Sequence, residues 1–152
     1  MELDLYLMML TTMLFGSSSL FRERARSEKL FNNFYSDWDN TKDYRTYMIL
    51  ASTNQPEKLI SEIKDEFSNL ALDDAMFQRM KKVWIANEVK MADYIDSTVN
   101  NIYDDLIRYH KVIPNKVDVI RNMNMETLQE IVSHIDFHNT SVVVMRPREE
   151  IL

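Results

Sequence analysis

The chain has 152 residues, 45% hydrophobic and 28% charged, with a formal net charge of −6. That balance fits one folded domain with a real core, and it disfavours both a disordered chain and a general nucleic-acid binder, which is usually basic. No cysteine is present, so disulfides, thiolate nucleophiles and Cys-ligated zinc are excluded, and a reducing, cytoplasmic setting is expected.

Only one glycine, Gly16, and three prolines occur in the whole chain. Hairpin-rich folds use many glycines at their tight turns, so a largely helical chain is expected. Leu3, Leu7, Leu10 and Leu14 recur at helical spacing, with Met8, Met9 and Met13 between them. Apolar nearly all round, this first helix should be buried. The apolar run Leu5 to Phe15 is about half the roughly 20 residues of a membrane span, and Glu2 and Asp4 stand where a signal peptide carries positive charge. No membrane association is expected.

Gly16 and Ser17 to Ser19 interrupt that helix, and Leu20 to Leu30 reads as a second, amphipathic one. Phe31 to Trp38 alternates aromatic and small polar residues. Asp39-Asn40-Thr41-Lys42 is turn chemistry, and Tyr44 to Thr53 is the best strand in the sequence. The two runs predict an antiparallel hairpin. Pro56 and Glu57 suit the first turn of a helix whose apolar face is Leu59, Ile60, Ile63, Phe67 and Leu70. Asp73 or Asp74 caps a long helix reaching about Tyr109, bent near Met91 to Asp96. Its buried side is expected to include Met76, Met80, Val83, Trp84, Asn87, Val89 and Met91. After Pro114, Asn115 and Asn124 are caps for two short helices. Ser141 to Met145 predicts a buried final strand ended by Pro147.

The expected fold is therefore α+β: a small mixed, mainly antiparallel sheet with helices packed on one face. Three strands make a narrow sheet beside so much helix. Further strands are expected from a partner or from a longer polypeptide of which this is a piece.

Five features invite a functional reading. Gly16-Ser17-Ser18-Ser19 sits where a phosphate cradle would, but it lacks the further glycines and the Lys-Ser/Thr pair of a P-loop. A helix break with a serine cap on the next helix is the better reading. His134 and His138 are four apart, yet Ile135 and Phe137 hold the places where zinc-peptidase motifs need glutamate. They read as two surface histidines by a turn. Arg22, Arg24 and Arg26 could receive a carboxylate or phosphate, although Glu23 and Glu28 among them also fit a solvated face. The three histidines and the absence of a glycine-flanked serine give no sign of a catalytic triad. The eleven methionines are spread along the chain as core filler rather than gathered into a groove.

The ordered set of phrases resembles a half-domain of the insulinase/pitrilysin family of zinc peptidases, the inverzincins. The stretch FGSSSLFRERARSEKLFNNFYSDW is similar to the family phrase "GG-small-SRLFQELREK-GLAYSV", through Gly16, Ser18, Ser19, Leu20, Phe21, Glu23, Glu28 and Leu30. ASTNQPEKLISEIKDEF resembles "T-x-x-P-E-x-L-x-x-x-I", and FQRMKKVWIANEV resembles "F-x-R-x-K-x-x-W-I-x-x-E". The closing SVVVMRP completes the order. The resemblance is closest to bacterial members without the catalytic motif, and H-x-x-E-H is absent from this sequence.

The resemblance implies one non-catalytic C-terminal domain, residues 1–152, within a longer multi-domain chain. It implies no cofactor of its own, any zinc lying in another domain of the parent. The implied partners are other domains or a homologous half of the same protein and unfolded peptide, with no nucleic acid. Active relatives contact substrate through an arginine and a tyrosine of the "LREK-GLAY" phrase; here those places hold Ala25 and Asn32, with Arg26 one residue off. The residues expected near a bound peptide are Arg22, Arg24, Arg26, Tyr35 and Tyr44. The rival expectation is a structural module that docks a partner half and binds no peptide.

Overall fold

The computed structural model describes residues 2–40 and 44–147, so Thr41 and Lys42 of the expected turn lie outside the described residues. In chain order the elements are α1 (Glu2–Phe15), α2 (Leu20–Ser27), β1 (Asn33–Asn40), β2 (Arg45–Ser52), α3 (Pro56–Ser68), α4 (Asp74–Ala92), α5 (Ile95–Tyr109), α6 (Lys116–Asn122) and α7 (Met125–Ser133). This is an α+β fold. Among the described residues its sheet is not mixed: it is the antiparallel pair β1–β2, running in register from Asn33 opposite Ser52 to Asn40 opposite Arg45.

α1 is the core helix its composition predicts. Tyr6, Leu7, Met9, Leu10, Met13, Leu14 and Phe15 are buried between α2, α4 and α7. Phe15 is the hub. The rings of Phe21 and Phe67 meet it edge-on with centroids 5.1 Å away, and Phe34 and Tyr47 stack at 6.2 and 6.1 Å. A buried ring of this kind contributes about 2–3 kcal/mol, and the edge-to-face contacts add to it. Burial does not extend all round α1, since Leu3 and Met8 stay about 40% exposed.

Gly16 ends α1 for a steric reason. A Cβ there would lie 2.3 Å from the Thr12 carbonyl oxygen, which accepts the Gly16 N–H at 2.9 Å. The backbone passes too close to its own helix for any side chain. Ser19 then caps α2, its Oγ accepting the Arg22 N–H at 3.2 Å. α2 closes without a glycine. Lys29 takes the left-handed conformation (φ 52°), its N–H donating to Arg26 O, while Leu30 N–H donates to Ala25 O at 2.8 Å. This is a Schellman closure, completed by the buried pair Leu30 and Ala25.

The hairpin lies with one face on the helices. Phe34, Ser36 and Trp38 of β1, with Tyr47, Ile49 and Ala51 of β2, are half-buried against them, while Tyr35, Asp37, Met48 and Leu50 face outward. Trp38 Nε1 donates to Thr11 Oγ1 at 2.9 Å and fastens β1 to α1.

Three expectations are corrected. The long helix is two, α4 and α5, separated at Asp93 and Tyr94, whose N–H groups turn back to Lys90 O and Met91 O. The buried stripe of α4 runs Phe77, Met80 and then half-buried Trp84, with Met76 and Ile85 packed beside it. Val83, Asn87, Val89 and Met91 are exposed. Ser141 to Met145 forms no strand, with Val143 85% and Met145 89% exposed. β-branched residues favour a strand only where a neighbour supplies the ladder, and no backbone hydrogen bond ties this segment to another among the described residues.

Two polar clusters join the helical layer. Asp105, buried on α5, pairs with Lys116 Nζ at 2.9 Å and accepts Ile113 N–H at 3.1 Å, closing the loop before α6. Removing one partner of such a pair costs about 3–5 kcal/mol. Asp4, buried on α1, accepts from Arg45 Nε and from Tyr109 OH at 3.1 Å, joining α1, β2 and α5. Burial alone would raise the Asp4 carboxyl, but the Arg45 hydrogen bond and nearby positive charge outweigh it and hold the group below the usual carboxylate range.

Candidate functional site

β1 has a hydrogen-bonded neighbour on one side only among the described residues, so its other edge is free. Beside that edge runs an open cleft of about 300 Å³. Its floor and far wall are α1 and the bend after it, through Met8, Thr12 and Gly16. Its near wall is β1 from Phe34 to Trp38, with Arg22 and Tyr47 at the base. An edge strand beside a half-exposed helix stripe is the arrangement that accepts an additional extended chain.

The polar groups of the cleft are organised by the hairpin. Arg22 lies over the rings of Phe34 (4.5 Å) and Phe31 (5.5 Å) and donates from Nη1 to the Phe34 carbonyl at 3.1 Å. Its Nε is buried without a hydrogen-bond partner, a cost the aromatic contacts offset in part. Burial, and then the charge of Arg26, push the guanidinium below the usual arginine value. Burial raises the Tyr47 phenol, opposed by its hydrogen bonds to Ser36 and Thr11. Asp37 accepts the Trp38 N–H on Oδ1 at 2.8 Å and the Tyr35 hydroxyl on Oδ2 at 2.9 Å. That bond, and then the carboxylate's charge, raise Tyr35.

The five residues expected near a peptide do not converge. Arg22 and Tyr35 line the cleft. Arg24 points to α3 and pairs with Glu62 at 2.9 Å and Glu66 at 2.8 Å. Arg26 is exposed on α2, and Tyr44 is 55% exposed just before β2. Ala25, where the family phrase has arginine, is buried at 2% and packs in the core, whereas Asn32 is exposed and donates its N–H to Ser52 O at 2.7 Å. The cleft thus takes its arginine from Arg22, one helical turn before Ala25.

Thr11, Ser36, Asp37, Trp38 and Tyr47 also line the cleft, and none of them is among the five residues expected near a peptide, although all but Thr11 lie on the two expected strands. The period-two alternation of β1 was a usable signal for Ser36 and Trp38; nothing in the sequence places Thr11 opposite them.

The histidines do not form a pair on one helix. His134 is the C-cap of α7, with Nδ1 2.8 Å from Glu130 O, and His138 lies in the following turn. Both are exposed, and no cluster of three metal-ligating side chains occurs among the described residues. Ser17 to Ser19 serve the bend and the α2 cap.

No family model matches the sequence. The fold is similar to two solved structures. An M16-like peptidase from Alicyclobacillus acidocaldarius superposes with a TM-score of 0.75 at 19% identity, over 86% of this chain and 32% of that one. The periplasmic protease PqqL from Escherichia coli superposes with a TM-score of 0.71 at 11% identity, over 88% of this chain and 16% of that one. The fold is therefore that of an M16-like (insulinase/pitrilysin) peptidase domain, and the chain spans at most about a third of the length of these proteins.

Proposed function

We propose that the chain is a non-catalytic C-terminal domain of a zinc-metallopeptidase-like protein and forms part of the wall of a peptide-binding chamber. An extended peptide pairs with the free edge of β1 and lies over Met8 and Thr12 of α1. The observation carrying this reading is the unpaired edge of β1 beside the cleft. Main-chain hydrogen bonds to such an edge hold a peptide with little regard for its sequence, and the pockets between side chains add selectivity. The chain does not cleave the peptide by itself, since its sequence contains no H-x-x-E-H. Any zinc would be held by another domain of the parent.

Titrating the ¹⁵N-labelled protein with an unfolded peptide tests this. Amide shifts concentrated at Phe34 to Trp38 and along the exposed stripe of α1 are expected. Saturating peptide without shifts there would remove peptide binding from the reading.

A second reading is favoured by a different surface. Ile95, Val99, Tyr103 and Leu106 form an exposed apolar stripe on α5, and Val142 to Met145 are exposed as well. These fit a module that docks a homologous half of the same protein and binds no peptide. Shifts confined to α5 on adding such a half, with β1 silent towards peptide, are the signature of this second reading.

A further inference from the structure

We propose that Arg22 and Asp37 guard the free edge of β1, so that a strand is added only when their side-chain bonds to the strand backbone are given up. The inference rests on the strand-addition reading above and deepens it. In an antiparallel pair, the main-chain groups of alternate residues point to the same edge. The Phe34 carbonyl points away from β2, because Arg22 Nη1 reaches it at 3.1 Å. By the period of two, Ser36 and Trp38 present their main-chain groups on that same edge. The Trp38 N–H is there, and the Asp37 carboxylate takes it at 2.8 Å. One acceptor and one donor of the edge are therefore occupied by side chains, with Ser36 between them.

The two guards differ in firmness. Arg22 is wedged over Phe31 and Phe34, with a buried Nε. Asp37 is exposed, and its second oxygen is held by Tyr35 OH alone among the described residues. The Asp37 end opens first, and an incoming strand begins pairing at Trp38. Until then the edge is blunted, which limits edge-to-edge association between copies of the chain, a standing hazard for an exposed strand.

The test compares the protein with Asp37→Ala and Asp37→Asn. The probe is a fluorescein-labelled peptide of alternating threonine and valine, lysine at both ends, followed by fluorescence anisotropy. Circular dichroism checks that each variant keeps its fold. Asp37→Ala removes the acceptor and is expected to bind about threefold to tenfold more tightly, the span of one net hydrogen bond. Asp37→Asn keeps an oxygen for Trp38 N–H and is expected to bind as the parent does. Tyr35→Phe, which frees the carboxylate's second oxygen, is expected to fall between. Equal affinity of Asp37→Ala and the parent overturns the guard and leaves strand addition standing. Equal tightening in Ala and Asn variants overturns it too, since charge and not the acceptor would then matter. Absence of binding by every variant overturns both readings.

Discussion

Gly16→Ala is the sharpest test of why this chain has its one glycine where it does. The new Cβ would lie 2.3 Å from Thr12 O and 3.2 Å from Thr12 C and Cγ2, against a practical limit of 3.0 Å. The offending atom is a backbone oxygen of α1 and cannot swing aside like the end of a side chain. Relief requires the bend to move outward by about the difference between 2.3 and 3.0 Å. That stretches the Gly16 N–H bond to Thr12 O and the Ser19 N–H bond to Gly16 O, both 2.9 Å. One weakened hydrogen bond costs about 1 kcal/mol and local backbone strain about 1–2 kcal/mol more, so a loss of about 2–3 kcal/mol is expected. For a chain of this size that corresponds to a fall of roughly 4–12 °C in Tm. Urea unfolding read by tryptophan fluorescence should show the midpoint falling with an unchanged slope, and exposed Ser17→Ala should leave it in place. A loss under about 0.5 kcal/mol for Gly16→Ala would refute the close-approach argument.

Two further outcomes follow from single residues. Lys29→Gly should stabilise the protein by about 1 kcal/mol, measured by the same unfolding, because Lys29 holds a left-handed conformation at the α2 closure that glycine adopts without strain. Tyr109 provides a pH signature: burial first, then the Asp4 charge and hydrogen bond, raise its phenol from 10.0 to about 12. The group is neutral in both states below pH 10, where its contribution is complete. Between pH 10 and 12 the unfolded chain ionises while the folded one does not, and stability declines by about 1–2 kcal/mol after allowing for partial solvent screening. Tyr109→Phe should lack that component of the alkaline slope; identical slopes from pH 9 to 12 would exclude the Asp4–Tyr109 contact as its source.

Much of the architecture is written locally. α1 is helical and buried because leucines and methionines recur at helical spacing. The β1–β2 hairpin follows from alternation on either side of a turn. Asp73, Ser19 and Asn124 cap their helices as short polar side chains do, each accepting a backbone N–H of the first turn. Gly16 also announced a break, and the resemblance to the peptidase family gave the order of elements except for its closing strand.

What local reading could not supply depends on neighbours. Ser141 to Met145 has every intrinsic feature of a strand and forms none, because a strand exists only through a ladder that another segment provides. Val83, Val89 and Met91 are expected on the buried side of α4 but are exposed, since burial depends on what packs opposite a residue and not on its type alone. Three arginines on one short helix look equivalent in sequence. The tertiary structure sends Arg24 to α3, leaves Arg26 in solvent, and lays Arg22 over Phe34, because side chains two apart on a helix point in different directions. The cleft joins Thr11 to Trp38 and Tyr47 from distant parts of the chain. Periodicity proposed which residues face inward, and packing decided which of those are buried and which of them meet.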